Sequence, residues 1–219
     1  MAYSSDERCG MRIPVAREGL PSIAFALAVT GAAAWFCTAW AFLPFALSAC
    51  LAAFFRDPAR VAPATEGGVI APAHGRVARI DEVAEEAYFG RRVRRISIFM
   101  SVLDVHVNYA PVSGTVEYLH YRRGSFKNAM RDVASVVNEN NTIGIKTAGT
   151  ATAVRQIAGM IARRIVCRCT VGDRVRAGQR IGLIKFGSRV DVFLPLEARV
   201  LVREGQRVRG GETMIAGIA

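Results

Sequence analysis

The sequence predicts a mainly β protein: a barrel-sandwich-like β domain preceded by an N-terminal hydrophobic helical hairpin. Three observations lead there. An uncharged apolar run fills residues 19–55. From Val69 onward, short runs rich in β-branched and aromatic residues alternate with glycine turns. The C-terminal third carries one glycine-bounded pattern twice. At 219 residues and 23.7 kDa the chain suits one compact domain plus an appendage. The boundaries are 1–18 for an N-terminal cytoplasmic segment, 19–55 for a membrane hairpin and 56–219 for the β domain.

The apolar run comes first in the chain. No charge stands between Glu18 and Arg56, and at 1.5 Å per residue one straight helix of that length would reach about 55 Å, well past a ~30 Å hydrocarbon core. Pro44 is expected to break it into two shorter helices, as a double pass or a re-entrant hairpin. Arg12 and Arg17 before the run and Arg56 and Arg60 after it place both flanks in the cytoplasm. Trp35 and Trp40 fall near the turn. The run is too long and too late for a cleaved signal peptide, and Leu47-Ser48-Ala49-Cys50 is a weak lipoprotein box.

Strands are expected at Gly68–Ala71, Arg76–Ile80, Arg95–Met100, Gly114–Leu119 and Ile181–Lys185, with helix near Ser101–Asp104 and Ala129–Val137. The repeat pairs Gly172-Asp173-Arg174-Val175-Arg176-Ala177-Gly178 with Gly205-Gln206-Arg207-Val208-Arg209-Gly210-Gly211. It resembles the half-motifs of biotinyl and lipoyl carrier domains, which implies a flattened sandwich. Lys185 lacks the Met-Lys turn that a carrier would need.

Composition narrows the function. A hydrophobic share of 52% and mean hydropathy of +0.24 exclude a disordered chain. The net charge is +11, and Lys127, Lys146 and Lys185 are the only lysines. Arginine suits phosphate-bearing partners through its bidentate fork; a GC-rich genome would write the same bias. Neither an aromatic stacking platform nor a basic helix accompanies the charge, so no nucleic-acid partner is expected. Cys9, Cys37, Cys50, Cys167 and Cys169 form no framework and read as reduced thiols. Nucleophile elbow, phosphate loop, dinucleotide fingerprint and metalloprotease helix are all missing from the sequence, and no metal site is expected.

The histidines are His74, His106 and His120. His120 lies on an alternating strand and reads as a surface or half-buried residue. His74 falls in a turn after a strand, and His106 in an extended segment; structural and chemical roles stay open for both. Phe186-Gly187-Ser188-Arg189 follows a strand. A glycine carbonyl beside a serine hydroxyl can undergo N-to-O acyl transfer when a base takes the hydroxyl proton and donors hold the oxyanion.

Seven collinear blocks carry a resemblance: Phe54-Phe55-Arg56-Asp57-Pro58, Ile70-Ala71-Pro72-Ala73-His74-Gly75, Asp104-Val105-His106-Val107-Asn108-Tyr109-Ala110-Pro111, Gly124-Ser125-Phe126-Lys127-Asn128-Ala129, Asn138-Glu139-Asn140-Asn141, Gly159-Met160-Ile161-Ala162-Arg163-Arg164-Ile165 and Phe186-Gly187-Ser188-Arg189-Val190-Asp191-Val192-Phe193-Leu194-Pro195. Together, from about Gly19 to the C-terminus, they resemble the short bacterial and archaeal type of phosphatidylserine decarboxylase proenzyme. The resemblance implies a pyruvoyl-dependent carboxy-lyase of phospholipid biosynthesis. It would cleave itself between Gly187 and Ser188 into a β chain, 1–187, and an α chain, 188–219. Ser188 would become a covalent pyruvoyl cofactor that forms a Schiff base with phosphatidylserine, giving phosphatidylethanolamine and CO2.

His106, matched within the Asp-Val-His-Val-Asn block, is then the proton donor. Arg163, Arg164 and Arg189 are candidate contacts for the lipid phosphate. The implied partners are the phospholipid, the inner cell membrane with the catalytic domain on its cytoplasmic side, and the two chains of one precursor, with a homo-oligomer left open. Two positions depart from the family pattern: His74 stands where aspartate is usual, and Tyr109 where the short type carries arginine. A neutral imidazole can accept the serine proton, so His74 is the candidate base for self-cleavage. Two other readings are a decarboxylase of a different serine-headed lipid and an uncleaved membrane-anchored scaffold or adaptor.

Overall fold

The computed structural model describes residues 15–36, 38–63, 67–130, 134–147, 149–160, 164–185 and 187–218. Cys9, Arg12, Cys37 and Arg163, and residues 131–133 of the expected second helix, lie outside these. The chain divides into two compact units, one ending at Ala59 and the other spanning Arg60–Ala219.

In the first unit, α1 (Leu20–Phe36) and α2 (Phe42–Phe54) flank a 3-10 turn at Thr38–Ala41. The interruption therefore falls ahead of Pro44 and not at it. Pro44 sits in the first turn of α2, where a missing N–H forfeits no helical bond and the fixed φ suits the helix. Trp35, near the end of α1, and Trp40, within the turn, are both exposed. The open end is tied by Ala16 N–H donating to the Phe55 carbonyl at 2.7 Å. Thr30 and Ser48 donate their hydroxyls to the carbonyls four residues earlier, at 2.8 Å each, which satisfies them without water. Arg17–Phe36 is the one helix among the described residues long and apolar enough to cross a membrane; its length is about 30 Å at 1.5 Å per residue.

The second unit is built of β1 (Gly68–Ile70), β2 (Gly75–Glu85), β3 (Arg91–Met100), β4 (Val107–Tyr109), β5 (Gly114–Arg122), a one-turn α3 (Ala134–Val137), β6 (Asn140–Thr147), β7 (Thr150–Ile157), β8 (Ile165–Cys167), β9 (Arg174–Val175), β10 (Arg180–Ile184), β11 (Ser188–Leu194), β12 (Arg199–Val200), β13 (Arg207–Val208) and β14 (Met214–Gly217). An eight-stranded antiparallel sheet runs β13-β2-β3-β11-β7-β6-β5-β9, with three-stranded sheets β1-β14-β12 and β4-β10-β8. Their inner faces close on Val77, Ile96, Ile98, Ile143, Val154 and Val190, each fully buried. This is the mainly β, barrel-sandwich-like architecture that the turn spacing predicts.

The unit is an internal duplication. Strands β4–β10, consecutive in sequence, repeat the arrangement made by β1–β3 together with β11–β14. Ile70 N–H donates to the Pro111 carbonyl and Tyr109 N–H to the Pro72 carbonyl, both at 2.8 Å. Gly211 N–H donates to Ala71 and Gly178 N–H to Ala110, both at 2.9 Å. The two copies of the glycine pattern form β9 and β13, the opposite edges of the large sheet. Gly172, Gly178, Gly205 and Gly211 all have φ between 76° and 96°, a region that glycine enters without steric cost. One half is thus inserted between β3 and β11, whose ladder ends at Met100 opposite Ser188.

Two local expectations need correction. Residues 101–104 form a turn closed by Asp104 N–H on the Ser101 carbonyl at 3.0 Å, not a helix. Of 129–137, only Ala134–Val137 is helical among the described residues, and Ala129–Met130 is a turn.

Candidate active site

Ser188 opens β11, the strand held between β3 and β7. Its side chain is fully buried, and its hydroxyl has no hydrogen-bond partner among the described residues. Leaving such a group unpaired costs about 1–3 kcal/mol. Gly187 precedes it at φ +55°, with open space where a Cβ would stand, so the backbone and not crowding demands glycine there. Gly159 closes the other side. A Cβ on Gly159 would lie 2.1 Å from the Gly187 carbonyl oxygen, so only a residue without a side chain admits this approach.

His106 is buried, and its Nδ1 lies 2.8 Å from the Asp104 carbonyl. A carbonyl only accepts, so Nδ1 carries the proton and Nε2 is free to accept; it does so from Gly187 N–H at 3.3 Å. The Asp104 carboxylate accepts from Ser101 N–H at 2.8 Å and from the Ser101 hydroxyl at 2.7 Å. Its other oxygen stands 3.6 Å from His74 Nε2 and 4.0 Å from Arg207 Nη1. The sequence-predicted residues are therefore brought together unequally. His106 touches the Gly187 amide, whereas His74 joins the group through Asp104.

Asp104 and Gly159 were not singled out from sequence. The only signal for either was its place in a resembling block, because the Asp104 carbonyl and the absent Gly159 side chain act through backbone geometry. Elsewhere in the interior, Asn108 accepts from Gln156 Nε2 at 2.8 Å and Gln156 accepts from Asn141 Nδ2 at 3.0 Å, all three buried. Asn138 donates to the Lys127 and Ala158 carbonyls at 2.8 and 2.7 Å, which fixes the residue before Gly159.

The arginines divide. Arg189 is 3% exposed; its Nε lies 2.9 Å from Asp191 Oδ1, it donates to the Ala129 carbonyl at 3.1 Å, and it also bonds the Ser135 hydroxyl. Its guanidinium is paired within the interior. Arg164 is exposed and its carbonyl receives Lys185 N–H at 3.2 Å; Arg163 lies outside the described residues. Tyr109 is buried against Gly211 and the Arg60 side chain, so the departure at this position falls on a structural contact. His120 is exposed on β5 beside Tyr118. Cys50, Cys167 and Cys169 are free thiols. The Cys169 thiol hydrogen-bonds Cys167 and pulls the Cys167 thiol down to about 6, while the same bond and burial push Cys169 up.

The model of the phosphatidylserine decarboxylase family matches residues 47–216. Relatives that carry the name phosphatidylserine decarboxylase proenzyme include the following three. That of Azorhizobium caulinodans is 46% identical over 207 residues, covering 93% of this chain and 89% of the relative. That of Saccharopolyspora erythraea is 49% identical over 177 residues, 79% and 75%. That of Magnetococcus marinus is 43% identical over 205 residues, 92% and 94%.

Proposed function

Since this chain belongs to the phosphatidylserine decarboxylase family, we propose that it converts phosphatidylserine to phosphatidylethanolamine and CO2 with a pyruvoyl group made from its own Ser188. The observation that carries this reading is the buried, unpartnered Ser188 hydroxyl directly after a left-handed glycine whose amide is held by His106.

Self-cleavage follows from these atoms. Ser188 Oγ loses its proton and bonds to the Gly187 carbonyl carbon; the peptide C–N bond breaks and leaves an ester with a free amine on residue 188. Elimination frees the Gly187 carboxylate, and hydrolysis of the resulting enamine releases ammonia. Gly159 lines the Gly187 oxygen closely without a side chain, leaving that carbonyl room to change geometry. The residues fit the group: Ser188 is its precursor, and the buried strand position would hold it rigidly and dry. When present, a pyruvoyl group supplies a ketone that condenses with the substrate amine and takes up the electron pair left as CO2 departs. His106, oriented by the Asp104 carbonyl, delivers a proton to the substrate Cα from Nε2 once that atom has itself taken one up.

His74 is our candidate for the base that takes the Ser188 proton. Its Nε2 faces the Asp104 carboxylate at 3.6 Å, on the turn whose carbonyl orients His106. The 3.3 Å contact of His106 with Gly187 favours a second reading, in which His106 is that base. The apolar hairpin holds the β domain at the cytoplasmic face of the cell membrane, with the flanking arginines on that side.

Intact mass of the purified full chain and of Ser188→Ala is the test. We expect a β chain and a blocked α chain of about 3 to 4 kDa at ~110 Da per residue, none of it from Ser188→Ala, and phosphatidylethanolamine from phosphatidylserine vesicles. A single unbroken chain with an unmodified Ser188 refutes the reading and returns the chain to a scaffold. If His74→Ala matures at the wild-type rate while His106→Ala does not, the base is His106.

A further inference from the structure

Three large apolar side chains are exposed and each adjoins, in the chain, a residue that touches the site. Leu103 is 82% exposed and precedes Asp104, whose carbonyl holds His106. Met160 is 59% exposed and follows Gly159, which lies against the Gly187 carbonyl. Met130 is 62% exposed and follows Ala129, whose Cβ is 3.5 Å from where a Gly159 Cβ would stand. Single exposed apolar residues are ordinary, but three that each adjoin a residue of one site are not. Exposed cations adjoin the same site residues. Arg164 sits across from Lys185, two residues before Gly187; Lys127 lies two residues before Ala129; and Arg207 approaches Asp104.

We propose that Leu103, Met130 and Met160 form a rim that enters the apolar boundary of an anionic phospholipid bilayer, with Lys127, Arg164 and Arg207 meeting its headgroups. This rests on the function proposed above and adds where the lipid crosses from bilayer to site. A diacyl lipid lifted into water exposes its chains at about 0.8 kcal/mol per CH2. A rim seated in the bilayer keeps the chains in hydrocarbon while the headgroup alone reaches Ser188. Apolar tips ringed by arginine and lysine have the chemistry of an interfacial surface, since anionic headgroups attract the cations and the acyl boundary accepts the tips. A soluble protein partner would leave the cationic ring without the continuous sheet of phosphates that it matches.

The test uses the full chain bound to phosphatidylcholine vesicles containing phosphatidylserine, with Leu103→Trp in a Trp35→Phe, Trp40→Phe background. Emission from the indole at position 103 is expected to be blue-shifted and quenched by bromine-labelled acyl chains. In parallel, Leu103→Glu should lower the rate on vesicles about tenfold further than the rate on monomeric short-chain phosphatidylserine, with α-chain release showing that the domain has folded. Water-like, unquenched emission overturns the proposal, as does an equal fall in both rates. Should the wild-type chain turn over neither form of the lipid while the indole of the Leu103→Trp variant is still quenched, the proposed function fails and the bilayer contact stands.

Discussion

Gly159→Ala is the sharpest perturbation that the site offers. The new methyl would sit 2.1 Å from the Gly187 oxygen and 3.1 Å from its carbon, so the two backbones must part by about 1 Å. Overpacking of this kind costs about 1–3 kcal/mol, which the fold absorbs. The reacting bond is less tolerant, because a 1 Å misplacement of reacting atoms lowers rates about 100-fold, or about 2.7 kcal/mol of barrier. Cell-free synthesis of the full chain with membranes, sampled on gels, reads the half-time of α-chain release. We expect it to lengthen about 100-fold in Gly159→Ala and to be unchanged in Gly217→Ala, where nothing lies within 4 Å of the added methyl. Trypsin resistance equal to that of Ser188→Ala would show that the uncleaved Gly159→Ala chain has folded. Release at the wild-type rate would mean that the Gly187 carbonyl is not positioned by Gly159, and the argument from close approach would fail.

Three further outcomes follow from the same geometry. Asp104→Ala removes both the acceptor for Ser101 and the anion facing His74; slower α-chain release by about tenfold or more is expected, and a wild-type half-time would uncouple the 101–104 turn from cleavage. Arg189→Leu strands a fully buried Asp191 carboxylate and should cost about 3–5 kcal/mol in denaturant unfolding; adding Asp191→Leu should recover part of it, and no recovery would contradict the pairing. Cys167, whose thiol is pulled down to about 6 by the Cys169 thiol, is anionic above that pH, so iodoacetamide should label it at neutral pH ahead of Cys169, read by peptide mass; in Cys169→Ala its labelling should fall at the same pH as the thiol returns toward its ordinary value.

The alternation of β-rich runs with glycine turns was legible because turn chemistry is local: a φ near +80° asks for glycine whatever the rest of the chain does. The duplication was legible only in its C-terminal copies. Ala71-Pro72 and Ala110-Pro111 also correspond, yet their equivalence becomes evident only in the hydrogen bonds that cross the pseudo-symmetric seam. Pro44 misled because a proline inside an apolar run marks a break, whereas a proline in the first turn of a helix marks a beginning, and the two differ by a few residues. Ser188, Gly187 and His106 carried their chemistry in residue type. Asp104 acts through its main chain, Gly159 through what it lacks, and Arg189 looks from sequence like a solvent-facing cation. Its partner Asp191 stands at i+2 on the same strand face, a spacing that could have suggested the pair.

The half-domain that interrupts the β3–β11 hairpin has a thermodynamic consequence. Under the proposed self-cleavage the break falls at the end of the β3–β11 ladder, and the C-terminal piece would stay threaded between two neighbours with β12–β14 attached. The return from denaturation would then differ from that of an intact chain. Reassembly would become a second-order encounter of two fragments, dilution would oppose it, and the hydroxyl proposed to make the cut would no longer exist to repeat it. Such a protein persists by how slowly it comes apart.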